Sequence, residues 1–547
     1  MKKMLAVLLC LLLAASALSG CKPQVLDGDG MVYYGVQGNL LKLEGSYFYD
    51  GTLDGLKIEE IGGIRTLVLE DDKTEGTFTS HEYDCKDFTQ MVASWNAFIY
   101  EGGSVEVLAR AKFADTWTEW LTWGEFTPYA QRGTVKNKKC DDAYMDVDTF
   151  TLKNGQVAHH VQVMAVLRLD PEKPDAKSPE LRRVCMTFAG GTMLAAYAEE
   201  PVETLPDKAL CPAPGISQEI RYSSIADSIC SSTTMTVMML SRITDPNELR
   251  YTTLLPEMYA LMTEDNAEDM FGNWSFTCSG AGLYGYECYC QYAGRDILMQ
   301  ELAKGHTCGI NVVYSNKKNS GQPYLQGCAG STAGHLITII GYEYEDGQID
   351  DEHLYFYSSD SYSDSDDTCY RRYKWTELAQ CWTKRMAYII PSLETEATRT
   401  DGGPYRHIAA QLEPQGNNEY RFVCGTNGDG SPAYPDTYDF ERGDGFVCWC
   451  AGGICTDNSA GGVESESSIV YEKPLQVYAN NTFSYAKMAA GGKVKIDLEG
   501  ITQRAAEELD IDPASVCISV YAISPNGYCY SAGVTGGVPV ATYSAGN

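Results

Sequence analysis

Residues 230–240 read CSSTTMTVMML, and this stretch decides how the middle of the chain folds. It contains no glycine or proline, and Pro246 is the first proline to follow it. We therefore predict a helix that begins near Cys230 and ends before Pro246. At the start of a helix, unpaired N–H groups and the helix dipole favour the thiolate form of a cysteine. Cys230 is thus a candidate nucleophile.

A second apolar stretch carries residues that can act together with Cys230. Residues 334–341 read GHLITIIG, which predicts a buried strand that opens with His335. Residues 353–357 read HLYFY, which predicts the next strand, and Asp360 lies just beyond it. Neighbouring strands of one sheet place the Asp360 carboxylate beside the His335 imidazole. A helix followed by strands in this order predicts an α+β domain.

These residue types meet the requirements of amide hydrolysis by a thiolate, which needs a base, an orienting group and hydrogen-bond donors for the oxyanion. Gln218 lies twelve residues before Cys230 and can supply one such donor through its side-chain amide. Taken singly, Cys230 would more often be a half-cystine, His335 a packed strand histidine and Asp360 a turn residue. Because all four occur in the papain-like order within one α+β block, we favour the catalytic interpretation.

Several stretches of the middle region resemble the bacteriocin-processing (double-glycine) peptidase-like family of papain-fold cysteine peptidases. They are ISQ at 216–218, CSSTT at 230–234, GHLITIIGY at 334–342, Asp360, and RRYKW at 371–375 leading to YIIP at 388–391. The resemblance implies Cys230 as nucleophile, His335 as base, Asp360 as the group that orients the base, and Gln218 in the oxyanion hole.

The chain departs from the family pattern at two points beside these residues. Ser232 stands where the family usually has proline. Ser359-Asp360-Ser361 stands where the family has an Asn-Asp-Pro turn. Neither departure removes a reacting group.

The length of 547 residues predicts several domains. Short alternating stretches before residue 205 predict a β-sandwich, and strands with glycine-rich turns after residue 392 predict a second β-rich domain. We therefore predict a multidomain chain whose central α+β papain-like peptidase domain has a β-rich domain on each side. The expected boundaries are a lipoprotein signal peptide at 1–20, a lipidated cysteine and tether at 21–40, a β-sandwich at 41–205, a papain-like cysteine peptidase-like domain at 206–392 and a β-rich domain at 393–547.

The N-terminus predicts the location of the protein. Lys2 and Lys3 precede an apolar run that closes with LSGC at 18–21, as in a signal peptide. The ending resembles the lipobox of bacterial lipoproteins, which implies lipidation of Cys21. We expect the protein on the extracellular face of a bacterial cytoplasmic membrane, held by this anchor. The alternative is an ordinary signal peptide in which Cys21 is incidental.

Charge and cysteine content narrow the functional classes. The formal charge of −32 repels phosphate backbones, so we expect no nucleic-acid partner. Twenty cysteines in a secreted chain predict disulfides. The spacings C-x-C at 288–290 and H-x-C at 306–308 differ from those of zinc loops, so disulfides or buried thiols are favoured over a metal site there. We expect no cofactor and no metal.

Three indoles in the first domain raise the question of a glycan ligand. Trp117, Trp120 and Trp123 are spaced by three, which on a strand places Trp120 on the opposite face from the other two. Such aromatics can form a sugar platform, but packing is the favoured interpretation.

These observations together predict a membrane-anchored extracellular cysteine peptidase that hydrolyses peptide or isopeptide amide bonds with a Cys-His-Asp triad. Its expected partners are a peptide or protein substrate, the membrane through the lipid anchor, and a cell-wall or glycan ligand of the flanking domains. The alternative is a non-catalytic surface adhesion or glycan-binding lipoprotein on a papain-like scaffold, in other words an inactive homologue. Acyl transfer would use the same residues.

Overall fold

The fold is described from a computed structural model of the chain. The residues that it describes are 24–26, 32–33, 38–129, 132–134, 139–173, 176–190, 205–219, 225–243, 254–393, 406–426, 428–432, 446–452, 462–464, 470–472, 484–487, 493–509, 512–524 and 528–539. The predicted signal peptide and Cys21 lie outside these residues. Within them, no helix has the length and apolar character needed to span a bilayer.

The N-terminal region consists almost entirely of antiparallel strands. They are β1 (Gln24–Leu26), β2 (Val32–Tyr33), β3 (Leu40–Glu44), β4 (Thr52–Asp54), β5 (Leu56–Ile61), β6 (Ile64–Leu69), β7 (Glu75–Thr79), β8 (Tyr83–Phe88), β9 (Gln90–Phe98), β10 (Gly103–Phe113), β11 (Thr116–Trp117), β12 (Leu121–Phe126), β13 (Ala143–Asp146), β14 (Thr149–Leu152), β15 (Ala158–Leu169) and β16 (Glu180–Ala189), with a 3-10 helix at Gly45–Asp50.

Two seven-stranded sheets organise these strands. One has the order β11-β10-β15-β7-β4, with β12 on β10 and β8 on β15, and the other has the order β13-β14-β9-β16-β6-β5, with β3 on β16. Val105, Val107, Ala109 and Ala111 alternate along β10 and are all fully buried. This alternation gives the sheet one apolar face, which contributes to the same core as Trp95 of the other sheet.

The middle region contains most of the helices and one further sheet. Its elements are β17 (Lys208–Leu210), α1 (Cys230–Leu240), α2 (Pro256–Thr263), α3 (Trp274–Leu283), β18 (Tyr286–Tyr292), α4 (Arg295–Ala303), β19 (Cys308–Ser315), β20 (Ser331–Tyr344), β21 (Leu354–Ser359), β22 (Tyr370–Lys374), α5 (Trp375–Cys381) and β23 (Met386–Leu393), with 3-10 helices at Ala226–Ser228, Glu345–Gly347 and Asp366–Cys369. The sheet has the order β18-β23-β19-β20-β21-β22, with β17 on β20.

The helix predicted at Cys230 is present, and Ser231 to Leu240 are all buried. Its burial on every side explains why it contains no charged residue, because α1 packs against β20 on one side and against α2 and α3 on others. Helix α4 agrees with the second predicted helix. The sequence did not predict α2, α3 and α5.

The C-terminal region has a hydrophobic core of its own, which includes Phe422, Ile501 and Val520. Its elements are β24 (Arg406–Ala409), β25 (Gln411–Gly416), β26 (Glu419–Val423), β27 (Phe446–Gly452), β28 (Gly462–Glu464), β29 (Val470–Glu472), β30 (Ser484–Lys487), β31 (Lys493–Lys495), α6 (Leu498–Leu509), β32 (Cys517–Ser524), β33 (Tyr528–Thr535) and β34 (Val538–Pro539), with a 3-10 helix at Pro513–Ser515. Strands β24 and β33 pair in parallel.

The N-terminal and middle regions share one hydrophobic core. Asn96 of β9 is fully buried, and its amide exchanges two hydrogen bonds with the backbone of Cys288, at 2.9 and 3.0 Å. The Asp148 carboxylate, at the turn between β13 and β14, accepts a 2.6 Å bond from the Trp274 N–H at the start of α3. Helix α3 also packs on β9 and β18, so strands from both regions hold it.

The prediction of disulfides is wrong for many cysteines of the described residues. They pack singly or in small groups as small apolar side chains, and none is within disulfide distance of another. The cysteines with free thiols are Cys140, Cys185, Cys211, Cys230, Cys278, Cys288, Cys290, Cys308, Cys328, Cys369 and Cys381.

The predicted placement of Trp120 is also wrong. The Arg110 guanidinium lies over the rings of both Trp117 and Trp120, 4.7 and 4.8 Å from their centroids. Strand β11 ends at Trp117 and β12 begins only at Leu121, so Trp120 lies between strands and the strand alternation does not apply to it. Trp123 is fully buried, as packing predicts, and donates to the carbonyl of Asp148.

Candidate active site

Cys230 is the first residue of α1 and is partly exposed, whereas the rest of the helix is buried. The residue before it, Ile229, offers no side chain that could cap the helix. The first N–H groups of α1 therefore remain available beside the Cys230 thiol, as expected for a site that stabilises negative charge. Thr338 of β20 donates to the Thr234 carbonyl, which ties the helix to the sheet near this point.

His335 and Asp360 meet at the junction of β20 and β21. These strands pair antiparallel with Thr338 opposite Ser359, so the chain leaves β21 at Asp360, alongside His335. Nε2 of His335 lies 2.8 Å from Oδ1 of Asp360. The side chains are 5% and 0% exposed, so water does not compete for this contact. Because Nε2 is engaged by the carboxylate, Nδ1 is the ring nitrogen left for Cys230.

Asp360 is surrounded by hydrogen-bond donors. Its Oδ2 accepts from the hydroxyls of Tyr314 at 3.1 Å and Tyr373 at 2.9 Å. Its Oδ1 also accepts from the backbone N–H of Tyr362 at 3.0 Å. Burial alone would raise the pKa of this carboxyl, but the charge and hydrogen bond of His335, with these donors, hold it below its usual value.

The thiol and the imidazole shift each other in opposite directions. Burial would raise the pKa of Cys230, but the hydrogen bond and charge of His335 and the backbone N–H groups of Leu336 and Ser231 hold it below its usual value. Burial would lower the pKa of His335, but Asp360 and Cys230 raise it to about 10. The shifts favour a thiolate beside an imidazolium, which is the reactive form of a cysteine nucleophile.

Gln218 is bound to the segment that carries Asp360. Its backbone N–H donates to the Ser361 carbonyl at 2.9 Å, and its side-chain oxygen accepts from the Ser361 hydroxyl at 2.7 Å. One N–H of its amide donates to the Ala226 carbonyl, at the 3-10 turn just before Cys230. The amide is therefore held on both sides, and its nitrogen carries a second N–H.

The two departures from the family pattern have different structural consequences. Ser361, in place of proline, supplies the hydroxyl that orients Gln218. Ser232 is fully buried, and its hydroxyl has no hydrogen-bond partner among the described residues. The neighbouring Ser231 instead bonds to the Tyr388 hydroxyl at 2.9 Å.

Sequence reasoning missed the tyrosines around the pair. Tyr314 and Tyr373 donate to Asp360, and the Tyr362 ring stands edge-on to the His335 ring at 6.1 Å. Tyr314 ends the stretch 308–314, and Tyr373 lies in the RRYKW stretch, but nothing local indicates that both hydroxyls point at one carboxylate. Within the described residues, no group of His, Cys, Asp and Glu side chains is arranged to hold a metal ion.

Comparison with known families agrees with this arrangement. Residues 42–189 match the family model described as Peptidase C39 N-terminal domain, and residues 212–389 match the Peptidase C39 like family. The matches define a cysteine-peptidase-like domain preceded by a β-rich N-terminal domain. Residues 212–389 therefore form a papain-fold, cysteine-peptidase-like domain of the C39-like family. This confirms the family predicted from the sequence.

Comparison with curated proteins gives no match. Among solved structures, TmCBM61 in complex with beta-1,4-galactotriose is 9% identical, the match covers 28% of this chain and 99% of that one, and the TM-score is 0.18. The Clostridium thermocellum endo-1,4-beta-D-xylanase 10B modules with xylohexaose are 8% identical, with 39% and 37% covered and a TM-score of 0.16. At these TM-scores the likenesses carry no conclusion about this chain.

Proposed function

We propose that the protein is a cysteine peptidase that hydrolyses peptide or isopeptide amide bonds, with Cys230 as nucleophile, His335 as base and acid, and Asp360 as the orienting group. The observation that carries the proposal is the buried 2.8 Å contact between His335 and Asp360, formed beside a cysteine at the start of a helix. The C39-like family of the domain supports the same reaction class.

In the proposed mechanism, the Cys230 thiolate attacks the carbonyl carbon of the scissile amide and a tetrahedral oxyanion forms. The second N–H of the Gln218 amide and the first N–H groups of α1 donate to this oxygen. The His335 imidazolium then gives its proton to the leaving amine, the C–N bond breaks, and a thioester to Cys230 remains.

In the second half of the reaction, neutral His335 takes a proton from water, and the resulting hydroxide attacks the thioester carbonyl. The C–S bond breaks, the acid product leaves, and the thiolate–imidazolium pair is restored. Asp360 keeps Nε2 engaged throughout, so that Nδ1 faces the reacting atoms. Asp360 stays ionised and takes no proton from His335.

The test is covalent labelling of the folded, unreduced protein with iodoacetamide at neutral pH, followed by peptide mapping. We expect Cys230 to react quickly and the rate to fall at least tenfold in His335→Ala, since the thiolate then loses its partner. Cys140 is a matched internal control, because it is a partly exposed free thiol far from His335 in sequence and outside its contacts. Its labelling rate should stay the same in both proteins.

Slow labelling of Cys230, or equal rates in the wild type and His335→Ala, would contradict the proposal.

Assays with peptide substrates distinguish hydrolysis from acyl transfer, because only acyl transfer consumes an added amine acceptor. An active peptidase yields a free carboxylate in the absence of any acceptor.

We further propose that the protein is anchored to the outer face of a bacterial cytoplasmic membrane through Cys21. The lipobox-like ending LSGC at 18–21 supports this location. Cys21→Ser should release the protein from the membrane fraction, whereas Cys140→Ser should leave it there. Retention of Cys21→Ser in that fraction would contradict the anchor.

A further inference from the structure

A cavity of about 760 Å³ lies between the N-terminal region and the C39-like domain. Asp146 and Thr149 line it from the N-terminal side, and Trp274, Trp375 and Arg385 line it from the other side. None of the four proposed active-site residues belongs to its lining. Its size suits a small organic ligand, and junctions between domains are common places for such sites.

The aromatic part of the wall is fixed by packing. The Trp274 ring packs on Tyr388 with 4.4 Å between centroids, and Trp375 packs on Phe356 at 5.5 Å. Both indoles are less than a tenth exposed. Each indole therefore offers the cavity only a small part of its ring, but that part is held in place, which favours contact with a ring or another apolar group of a ligand.

Arg385 and Lys384 both line this cavity, and neither forms an ion pair with a carboxylate within the described residues, whereas Arg295 does. The Arg385 guanidinium donates at 3.3 Å to the Ala379 carbonyl and lies over the rings of Trp375 and Trp382. Burial lowers the pKa of Arg385, which agrees with a partly dehydrated charge. In a chain with a net charge of −32, such a guanidinium is well suited to bind an anion.

The other charges of the wall limit how negative that anion can be. Arg295 is already paired with Asp296 and Asp351. Lys384 acts on the buried Asp148, whose pKa it lowers, although burial is the larger effect and raises that pKa to about 6. Asp146 lines the cavity from the opposite region and would repel a dianion such as phosphate.

We propose that this cavity binds a small carboxylic acid with an aromatic group, whose single carboxylate pairs with Arg385 and whose ring packs on the indoles. The planar fork of a guanidinium matches a carboxylate in a bidentate manner. The site is independent of the proposed peptidase reaction, so it can be present whether or not Cys230 is reactive.

The test compares N-acetylphenylalanine with N-acetylphenylalaninamide, which differ in charge but hardly in shape. Calorimetric titration of the full chain carrying Cys230→Ala removes turnover from the measurement. We expect one molecule of the acid to bind per chain and the amide to bind about tenfold more weakly, as for the loss of a charge-assisted pair. Equal affinity, or no binding of the acid, would overturn the proposal.

Two variants locate the site. Arg385 has φ +54°, so Arg385→Asn is the replacement with least backbone strain, and it should weaken binding of the acid about tenfold. Asp146→Asn removes the opposing charge from an exposed position and should tighten binding about twofold. Asp115→Asn is its matched control, because Asp115 is exposed and outside the cavity, and it should change nothing.

Arg385→Asn is expected to weaken binding of the acid and Asp146→Asn to tighten it. If Arg385→Asn perturbs folding, Asp146→Asn still tests the proposal. If Asp146→Asn weakens binding, or if Asp115→Asn has the same effect as Asp146→Asn, the acid does not bind in this cavity. Unchanged binding in a folded Arg385→Asn variant would also contradict the proposal.

Discussion

Asp360 is the residue on which the arrangement around Cys230 depends. It is fully buried, yet His335, two tyrosine hydroxyls and a backbone N–H stabilise its charge. A carboxylate held in this way can stabilise an imidazolium, and the imidazolium in turn stabilises the Cys230 thiolate. The protonation states of Asp360, His335 and Cys230 are therefore linked, and activity should depend on pH through them.

The pH dependence of hydrolysis follows from two of these pKa values. The pKa of Cys230 lies below the usual 9.0, so activity should rise with pH over a range below that value as the thiolate forms. The pKa of His335 is raised to about 10, so activity should fall as the imidazolium loses its proton near pH 10. We expect a bell-shaped profile of kcat/KM with a broad plateau between these limits.

Asp360→Asn is the control for this profile. The amide can still accept a hydrogen bond from His335 but carries no charge, so the pKa of His335 should fall and the alkaline limb should move to lower pH. An alkaline limb that stays near pH 10 in this variant would show that Asp360 does not set the His335 charge.

Tyr373→Phe tests a residue that was found only in the structure. The change removes the 2.9 Å bond to Asp360 and leaves part of a buried carboxylate without a donor, which should cost about 1.5–3 kcal/mol in the free energy of unfolding. Tyr342→Phe is the matched control, because it removes a bond to the neutral carbonyl of Pro206 and should cost about 1 kcal/mol. Urea unfolding measures both. If the two costs are equal, Tyr373 does not stabilise the Asp360 charge.

At the scale of elements, α3 shows how packing can override local preference. Its sequence WSFTCSGAGL contains two glycines and no strong helix pattern. A Cβ atom at Gly282 would lie 2.8 Å from the Cα of Asn96, so only glycine allows this helix to pack so closely on β9. The close packing stabilises α3 more than the glycines disfavour it.

The start of α3 gives a prediction for one side chain. The Asn273 side-chain oxygen accepts from the Phe276 N–H at 3.0 Å, and its amide donates to Asp265 at 2.9 Å. Asn273→Ala should therefore lower the free energy of unfolding by about 1–3 kcal/mol, through loss of the helix cap and of the bond to a buried carboxylate. Asn273→Ser keeps a capping oxygen and should recover part of the loss. Equal melting temperatures for the two variants would argue against the cap.

At the scale of the whole molecule, the N-terminal region acts as part of the C39-like domain's core. Trp95 of β9 packs edge-on against Phe276 of α3 with 6.2 Å between centroids, and Asn96 bonds to the backbone of Cys288. The region that carries Cys230 is thus completed by strands far earlier in the chain. The two regions should unfold together.

Asn96→Ala tests this coupling. It leaves the N–H and the carbonyl of Cys288 without their partners in a buried site, which should cost roughly 3 kcal/mol. Hydrogen exchange should then increase in β9 and in α3 alike. Asn316→Ala, at an exposed position, is the control and should leave both unchanged. Faster exchange in β9 alone would mean that the two regions unfold separately.

Some residues of the candidate active site were predicted from the sequence, and others were found only in the structure. The order Gln218, Cys230, His335, Asp360 and the contact between the last two were predicted, because a helix start and two neighbouring strands are local patterns. The hydroxyls of Tyr314 and Tyr373 were not, because their direction depends on the register of β19 and β22 within the sheet. The cysteines were wrongly predicted to form disulfides, because a disulfide requires two cysteines to lie close together and the composition does not give their distances.

The sequence by itself determined the family, the helix at Cys230 and the strands that carry His335 and Asp360. Each of these follows from periodicity and end signals within a few residues. Only the tertiary structure decided the surroundings of Asp360, the formation of α3 and the cavity at Arg385. These features arise where segments distant in sequence meet, and the energy of such contacts depends on shape and burial, which no local pattern encodes.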